Sequence, residues 1–373
     1  MRTIRRTTGP DPVAGDAPRE EATARLSRGN IVVLVAFFLA LAVLALGSVI
    51  HLPYAVMSPG PTMNVLGDAP DSRKPIISVE GASSYPADGT LRFTTVLVAG
   101  GPGYPVDVWT VVGAWLDPAK DVLPVGAVFD PNASATQVEQ ENALEMKGSQ
   151  QEATAVALRA TGRTVPTHIV VATILHASKA AGLLKVGDRI DSVAGVATGS
   201  MDGIRAALQK VKPGDPVTLS VTRDGKPVTA AVPTVEAAGG RTALGILLGI
   251  DHDFPVDVTI SAGDVGGPSA GLMFSLGIYD RLTPGSLTGN HEIAGTGTID
   301  DSGTVGPIGG IRQKLNGAKD DGASYFLAPA DNCGEVVGHV PDGLQVFKVG
   351  TFNEARTAVE AIAKNDVATL PRC

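Results

Sequence analysis

Residues 256–279 read VDVTISAGDVGGPSAGLMFSLGIY, and how they are parsed decides the fold. Residues 256–261 alternate apolar and polar like a half-buried strand, while 269–279 have the composition of a helix packed against its neighbours. The turn between them, Gly266-Gly267-Pro268-Ser269-Ala270-Gly271, sets a serine hydroxyl at the start of that helix, beside N–H groups that lack an intrahelical partner. Such a helix start is a natural seat for an anion and can steady the oxyanion of a tetrahedral intermediate. Serine before a helix most often only caps it, so Ser269 acquires chemical meaning only from a base.

The histidines are poor bases. His51 adjoins a long apolar run, His168 starts a strand and His176 lies in the following loop; His252, His291 and His339 come without a Gly-x-Ser-x-Gly elbow and read as surface or loop groups. A lysine can serve instead if burial strips its charge and lowers its pKa from about 10.4 toward the working pH. The candidate is Lys314, in Pro307-Ile308-Gly309-Gly310-Ile311-Arg312-Gln313-Lys314-Leu315. Ile311, Lys314, Leu315 and Ala318 fall at i, i+3, i+4 and i+7, which puts the lysine on an apolar helix face while Arg312 and Gln313 point elsewhere. Taken alone, a lysine on such a face is more simply one that snorkels to solvent.

Together the two segments resemble the peptidase domain of Lon proteases. The resemblance rests on Gly-Pro-Ser-Ala-Gly, then 45 positions from Ser269 to Lys314 across Gly295-Thr296-Gly297-Thr298-Ile299 and the Pro-Ile-Gly-Gly turn, and on Leu327-Ala328-Pro329-Ala330-Asp331-Asn332. It implies a Ser269–Lys314 catalytic dyad, with Thr296 helping to hold the lysine. Lon enzymes often carry an aspartate three positions before the serine; here Gly266 stands there and Asp264 lies further back, which puts a carboxylate role in doubt. No Gly-x-x-x-x-Gly-Lys-Ser/Thr phosphate loop occurs, so the unfolding motor of full-length Lon is not expected and neither is any ATP requirement or cofactor.

Residues 165–235 run strand (168–174), short helical segment (178–184), Gly187-Asp188 turn and strand, helix (201–211), and two strands joined by Asp224-Gly225. With Ser178-Lys179-Ala180-Ala181-Gly182-Leu183, this resembles a bacterial PDZ domain, which binds a peptide as an added strand. A plain spacer is the alternative, and the groove cannot be assigned residue by residue.

Residues 31–50 hold no charge over 20 positions, enough to span a bilayer, and six arginines precede them whereas the next basic residue is Arg73. An N-terminus in the cytoplasm and everything after about residue 51 outside the cell follow. A signal peptide cleaved after Ala45-Leu46-Gly47 is the rival; the apolar run continues to full spanning length, which favours an anchor. Residues 1–30 carry six arginines against four acidic groups, leaving 24 basic against 34 acidic residues in the rest, so a nucleic-acid-binding body is excluded. Two cysteines cannot make a four-cysteine metal site, and no metal is expected.

The expected fold class is α+β: a basic cytoplasmic tail (1–30), a transmembrane helix (31–50), a Pro/Gly-rich linker (51–74), and a Lon-type peptidase domain in two parts (75–162 and 236–373) with a PDZ domain (163–235) inserted. Strands are expected at 90–98, 106–112 and 122–129 and a helix at 150–160. The overall resemblance is to membrane-anchored, PDZ-containing Lon-like peptidases of Gram-positive bacteria. It implies an ATP-independent serine endopeptidase outside the cytoplasm that cleaves flexible polypeptides, and a ring-shaped homo-oligomer. Outside the cell, Cys333 and Cys373 are expected to pair and pin the C-terminal tail. The alternative function is a catalytically inactive, membrane-tethered PDZ protein that only binds peptides.

Overall fold

Thr90–Ala99 is the strand on which the large sheet is built. In the computed structural model, which describes residues 27–69, 73–176, 178–237 and 239–373, the sheet order is Gln345–Val349, Tyr325–Pro329, Glu292–Gly295, Thr90–Ala99, Tyr54–Asn64, Asp121–Pro124. The first four strands run parallel; Tyr54–Asn64 opposes them, and Asp121–Pro124 pairs antiparallel with it and so runs with the first four again. Most of the basic tail, residues 1–26, lies outside the described residues.

Side chains alternate across this sheet, and neighbouring residues therefore enter different cores. Ile293, Leu327 and Phe347 face one cluster with Ala135–Ala160, Gly271–Leu282 and Phe352–Ala363. Ala294, Phe326 and Val346 face another with Ile311–Asp320 and the short helix Cys333–Val336. The serine helix, Gly271–Leu282, and the lysine helix, Ile311–Asp320, thus lie on opposite faces of one sheet. Their side chains can meet only past its end. That end exists because Glu292–Gly295 is short: it pairs with Thr90–Phe93 and stops, while Thr90–Ala99 runs on, paired from there with Tyr54–Asn64 on its other side. A crevice beyond the carboxyl ends of parallel strands is the usual binding place in such sheets.

A second sheet is ordered Lys226–Pro233, Pro216–Arg223, Arg189–Val193, Thr167–Ile174, Ile246–His252, and packs on the helix Met201–Leu208 around its own core from Ile169 to Leu244. Asp224 and Gly225 take positive φ at the tight hairpin, as their sequence predicts. Ile246–His252 pairs along nearly all of Thr167–Ile174, so this sheet draws on chain beyond residue 235. Residues 178–184 form turns with Gly182 at φ 79° in place of the expected short helix.

Three segments differ from their sequence reading for physical reasons. Tyr54–Asn64, inside the stretch read as a linker, is an eleven-residue strand. Its Pro59-Gly60-Pro61 sits at a register shift, where missing N–H donors cost nothing, and the same residues make it look like a loop. The 150–160 helix begins fifteen residues earlier, at Ala135, where Ser134 and Gln137 form a reciprocal capping box. Residues 106–112 contribute only the two-residue strand Val106–Asp107; Asp107 then accepts a hydrogen bond from the Thr110 N–H (2.7 Å) and caps the helix Val108–Trp115.

The apolar N-terminal run is the helix Arg28–Val49, capped by Ser27 and long and apolar enough to cross a membrane. Cys333 and Cys373 are joined as a disulfide with Cα atoms 4.9 Å apart, and the tail is further held where the Lys348 N–H donates to Pro371 O.

Candidate active site

Ser269 is two residues ahead of Gly271–Leu282, in a turn clamped by the long helix Ala135–Ala160. Asn142 O accepts from the Gly267 N–H (2.9 Å), and Ser149 Oγ donates to Pro268 O (2.9 Å). Asn142 and Ser149 are seven residues apart, two turns along one helix face. Gly271 lets the serine helix approach this closely: a Cβ there would stand 2.7 Å from Ser149 Oγ and 2.9 Å from Ile299 Cγ2.

Lys314 arrives from the opposite layer. Ile311, Leu315 and Ala318 are fully buried and Lys314 is 3% exposed, so the expected face is the one that packs. Gln313 is buried as well, on another side of the helix, where it donates to Asp121 Oδ2 (2.9 Å) and Arg312 also pairs with Asp121. The helix start is fixed by Asn332, whose amide both accepts from the Ile308 N–H and donates to Ile308 O, each at 2.9 Å. Gly310, the residue before the helix, takes φ 69°, a left-handed conformation that other residues adopt only with strain.

At the end of Glu292–Gly295 the three expected residues come together. Lys314 Nζ is 2.7 Å from Ser269 Oγ and 2.9 Å from Thr296 Oγ1. Thr296, fully buried, donates its hydroxyl proton to Ser269 O at 3.0 Å, and the Gly297 N–H donates to the same carbonyl at 2.9 Å. With its proton so committed, the threonine oxygen can only accept from the lysine. A neutral amine that donates to Thr296 keeps its lone pair for the Ser269 hydroxyl. Burial alone pushes the Lys314 pKa down, from 10.5 to about 7, and no ion pair to it occurs among the described residues. Near neutral pH the amine is therefore available as a base.

The dyad opens into a cavity of about 450 Å³ lined by Thr95, Val96, Asn142, Glu145 and Asp264. Burial, and secondarily Glu141, raises the Glu145 pKa. The carboxylates of Asp264 and Glu145 belong to the wall of the cavity and neither is bonded to the dyad. A second space of about 700 Å³ shares Val96, Asn142, Glu145 and Gly266 with the first and continues past Val98 to Tyr104. Beside the groove, residues 94–99 lie beyond the reach of the short strand Glu292–Gly295, so one edge of that strand is open to an extended chain.

His252 departs from the surface reading, and His168 lies in the expected strand. His252 is buried, with Nε2 2.6 Å from Asp301 Oδ1, and Asp301 also takes a hydrogen bond from Arg159 (2.9 Å). His168 pairs with Asp253 at 2.6 Å. The first pair ties the second sheet to the turn after Thr298–Ile299, the second joins neighbouring strands of that sheet, and neither bonds to Ser269. Sequence reasoning missed Asn142 and Ser149, and quoted Asn332 only within the Lon-like segment, without its hold on Ile308. The Ser134-x-x-Gln137 box marks the start of the long helix, and would have placed Asn142 and Ser149 on one face of it.

Comparison with known families gives two matches. Residues 144–234 match the PDZ domain family, and residues 230–360 match the Lon protease (S16) C-terminal proteolytic domain. Similar proteins include Lon protease 2 of Bacillus subtilis, 31% identical over 103 residues (27% of this chain, 18% of that protein). Lon protease of Azospirillum brasilense is 33% identical over 144 residues, 36% of this chain and 18% of that protein. The chain thus spans less than a fifth of the length of these relatives. Among solved structures, the PDZ domain of an SdrC-like protein from Listeria monocytogenes is 24% identical, with a TM-score of 0.21, covering 22% of this chain and 86% of that one.

Proposed function

From a chain that carries a Lon-type proteolytic domain and a PDZ domain, we propose an ATP-independent serine endopeptidase that works outside the cytoplasm, on the far side of a single membrane anchor. Neutral Lys314 takes the proton from Ser269 Oγ as that oxygen attacks a peptide carbonyl carbon. Backbone N–H groups at the start of the serine helix receive the developing oxyanion. The tetrahedral intermediate collapses, the C–N bond breaks, and the lysine passes its proton to the leaving amine. Water then attacks the acyl-enzyme, giving its proton to Lys314, which passes it to Ser269 Oγ as the ester bond breaks, so that serine and neutral lysine are both restored. Thr296 orients the amine throughout.

The observation that carries this reading is a buried lysine without a counter-ion among the described residues, 2.7 Å from a hydroxyl at a helix start. Burying an amine this way costs stability and is unrewarded by any salt bridge. In this reading the PDZ domain, inserted between two parts of the peptidase domain, holds a peptide strand and presents it. With no phosphate loop in the 373 residues, substrates are flexible or locally unfolded chains. The Cys333–Cys373 bridge fits an oxidising compartment, and self-assembly into a ring remains part of the proposal. The full chain in detergent should cleave an unstructured polypeptide, and Ser269→Ala should abolish cleavage. Equal turnover by that variant would sink the dyad and leave a peptide-binding protein.

A further inference from the structure

The helix Val108–Trp115 is unusual for a surface element. VWTVVGAW holds no charge, only Ala114 is buried, and Trp115 and the following Leu116 are more than 80% exposed. β-branched residues favour strands, yet here they form a helix whose backbone is satisfied internally. Both tryptophans of the chain lie in it.

Its position explains the exposure. Trp109 Nε1 donates to Leu44 O at 2.9 Å, and a Cβ on Gly47 would collide with the Trp109 ring. The helix is therefore locked to the last turns of Arg28–Val49. Leu44 is five residues from the end of that helix, about 7 Å at the usual helical rise. A helix lying across the membrane surface sinks its apolar face roughly 5–10 Å into the headgroup and acyl boundary, where tryptophan is favoured. Asp107 and His51, paired in register at the near end, and Asp117 with Lys120 at the far end bracket the uncharged stretch with polar groups.

We propose that Val108–Trp115, with Leu116, is a second membrane contact that lies in the lipid interface beside the spanning helix. It holds the open end of the serine groove, at Tyr104 four residues upstream, level with the headgroups. Continuity with the apolar anchor selects lipid as the occupant, so the inference rests on the anchor reading above.

The two tryptophans make the test direct. In the full-length protein reconstituted in phosphatidylcholine vesicles, the emission that is lost in Trp115→Phe is that of Trp115, with the Trp109 lock left intact. That emission should be blue-shifted and quenched roughly twofold or more by lipids brominated high on the acyl chain, with little effect of aqueous iodide, as for an interfacial indole. Quenching by iodide and not by bromolipid would place Trp115 in water and overturn the proposal. Protection from both quenchers would put a second copy of the chain on this face and overturn it equally. Failure of the protein to float with vesicles would instead reject the anchor reading, and the proposal with it.

Discussion

In the proposed mechanism Lys314 controls the chemistry through its charge. Its pKa in the fold is about 7 against the ordinary 10.5, so the active, neutral form grows in as pH rises. The value of kcat/KM should climb through about pH 7 with the slope of a single proton, measured on a peptide lacking groups that titrate there. Between pH 7 and 10.5 the unfolded chain binds a proton that the native one does not, so this lysine's penalty on stability is full below 7 and fades toward 10.5. Lys314→Met should therefore be inactive yet melt at or above the wild-type temperature at pH 6, the advantage shrinking by pH 10; a variant that melts lower throughout would contradict the buried-amine account. Thr296→Val keeps shape but removes the acceptor for the lysine, and should lower kcat about tenfold, the ~1.4 kcal/mol of one hydrogen bond, while Thr296→Ser recovers most of it. Glu152 bears the opposite sign. Burial first, then Asp300 and Asp301, raise its pKa from 4.5 to about 7, so it destabilises the fold increasingly from pH 4.5 to 7 and fully above. Glu152→Gln should raise Tm at pH 8 and change it little at pH 4, read by calorimetry at both.

Elements are placed by contacts of very different sequence range, and that determines which were legible. The face Ile311, Lys314, Leu315, Ala318 could be read because helical periodicity is local, and Asp224-Gly225 because a hairpin turn is two residues of backbone geometry. Tyr54–Asn64 could not, since its proline-rich bulge imitates a loop until Thr90–Ala99 is beside it. The first half of Ala135–Ala160 is polar and shows little apolar period; its role in holding the serine turn depends on Gly267 and Pro268, more than a hundred residues away. Ser269 and Lys314 were legible as motifs, but the buried polar groups that aim them were not. Asn332 is the clearest of these. Asn332→Ala leaves the Ile308 N–H and C=O unpaired in a partly buried place and should cost about 1–3 kcal/mol, seen as a lower urea midpoint with an unchanged slope, together with loss of activity as the lysine helix shifts.

At the scale of the whole molecule, the peptidase layers and the second sheet have separate cores, and the chain passes from one to the other and back. The Cys333–Cys373 bridge closes a loop of 40 residues, which in the loop-closure account is about 4 kcal/mol. Reductant should lower Tm by several degrees without moving the pH midpoint of activity, because neither cysteine bonds to Ser269, Thr296 or Lys314. A drop in kcat at fixed temperature below the melt would show that it reaches further. The order in which this sheet is assembled has a consequence for biogenesis. Its first strand in chain order, Tyr54–Asn64, receives the lysine helix, with Gly317 seated over Gly60, and that helix is encoded some 250 positions later. In the proposed reading, synthesis passes through 45 of the 104 residues that follow Ser269 before Lys314 is made, so the newborn peptidase has no base and stays harmless to itself until its last layer docks.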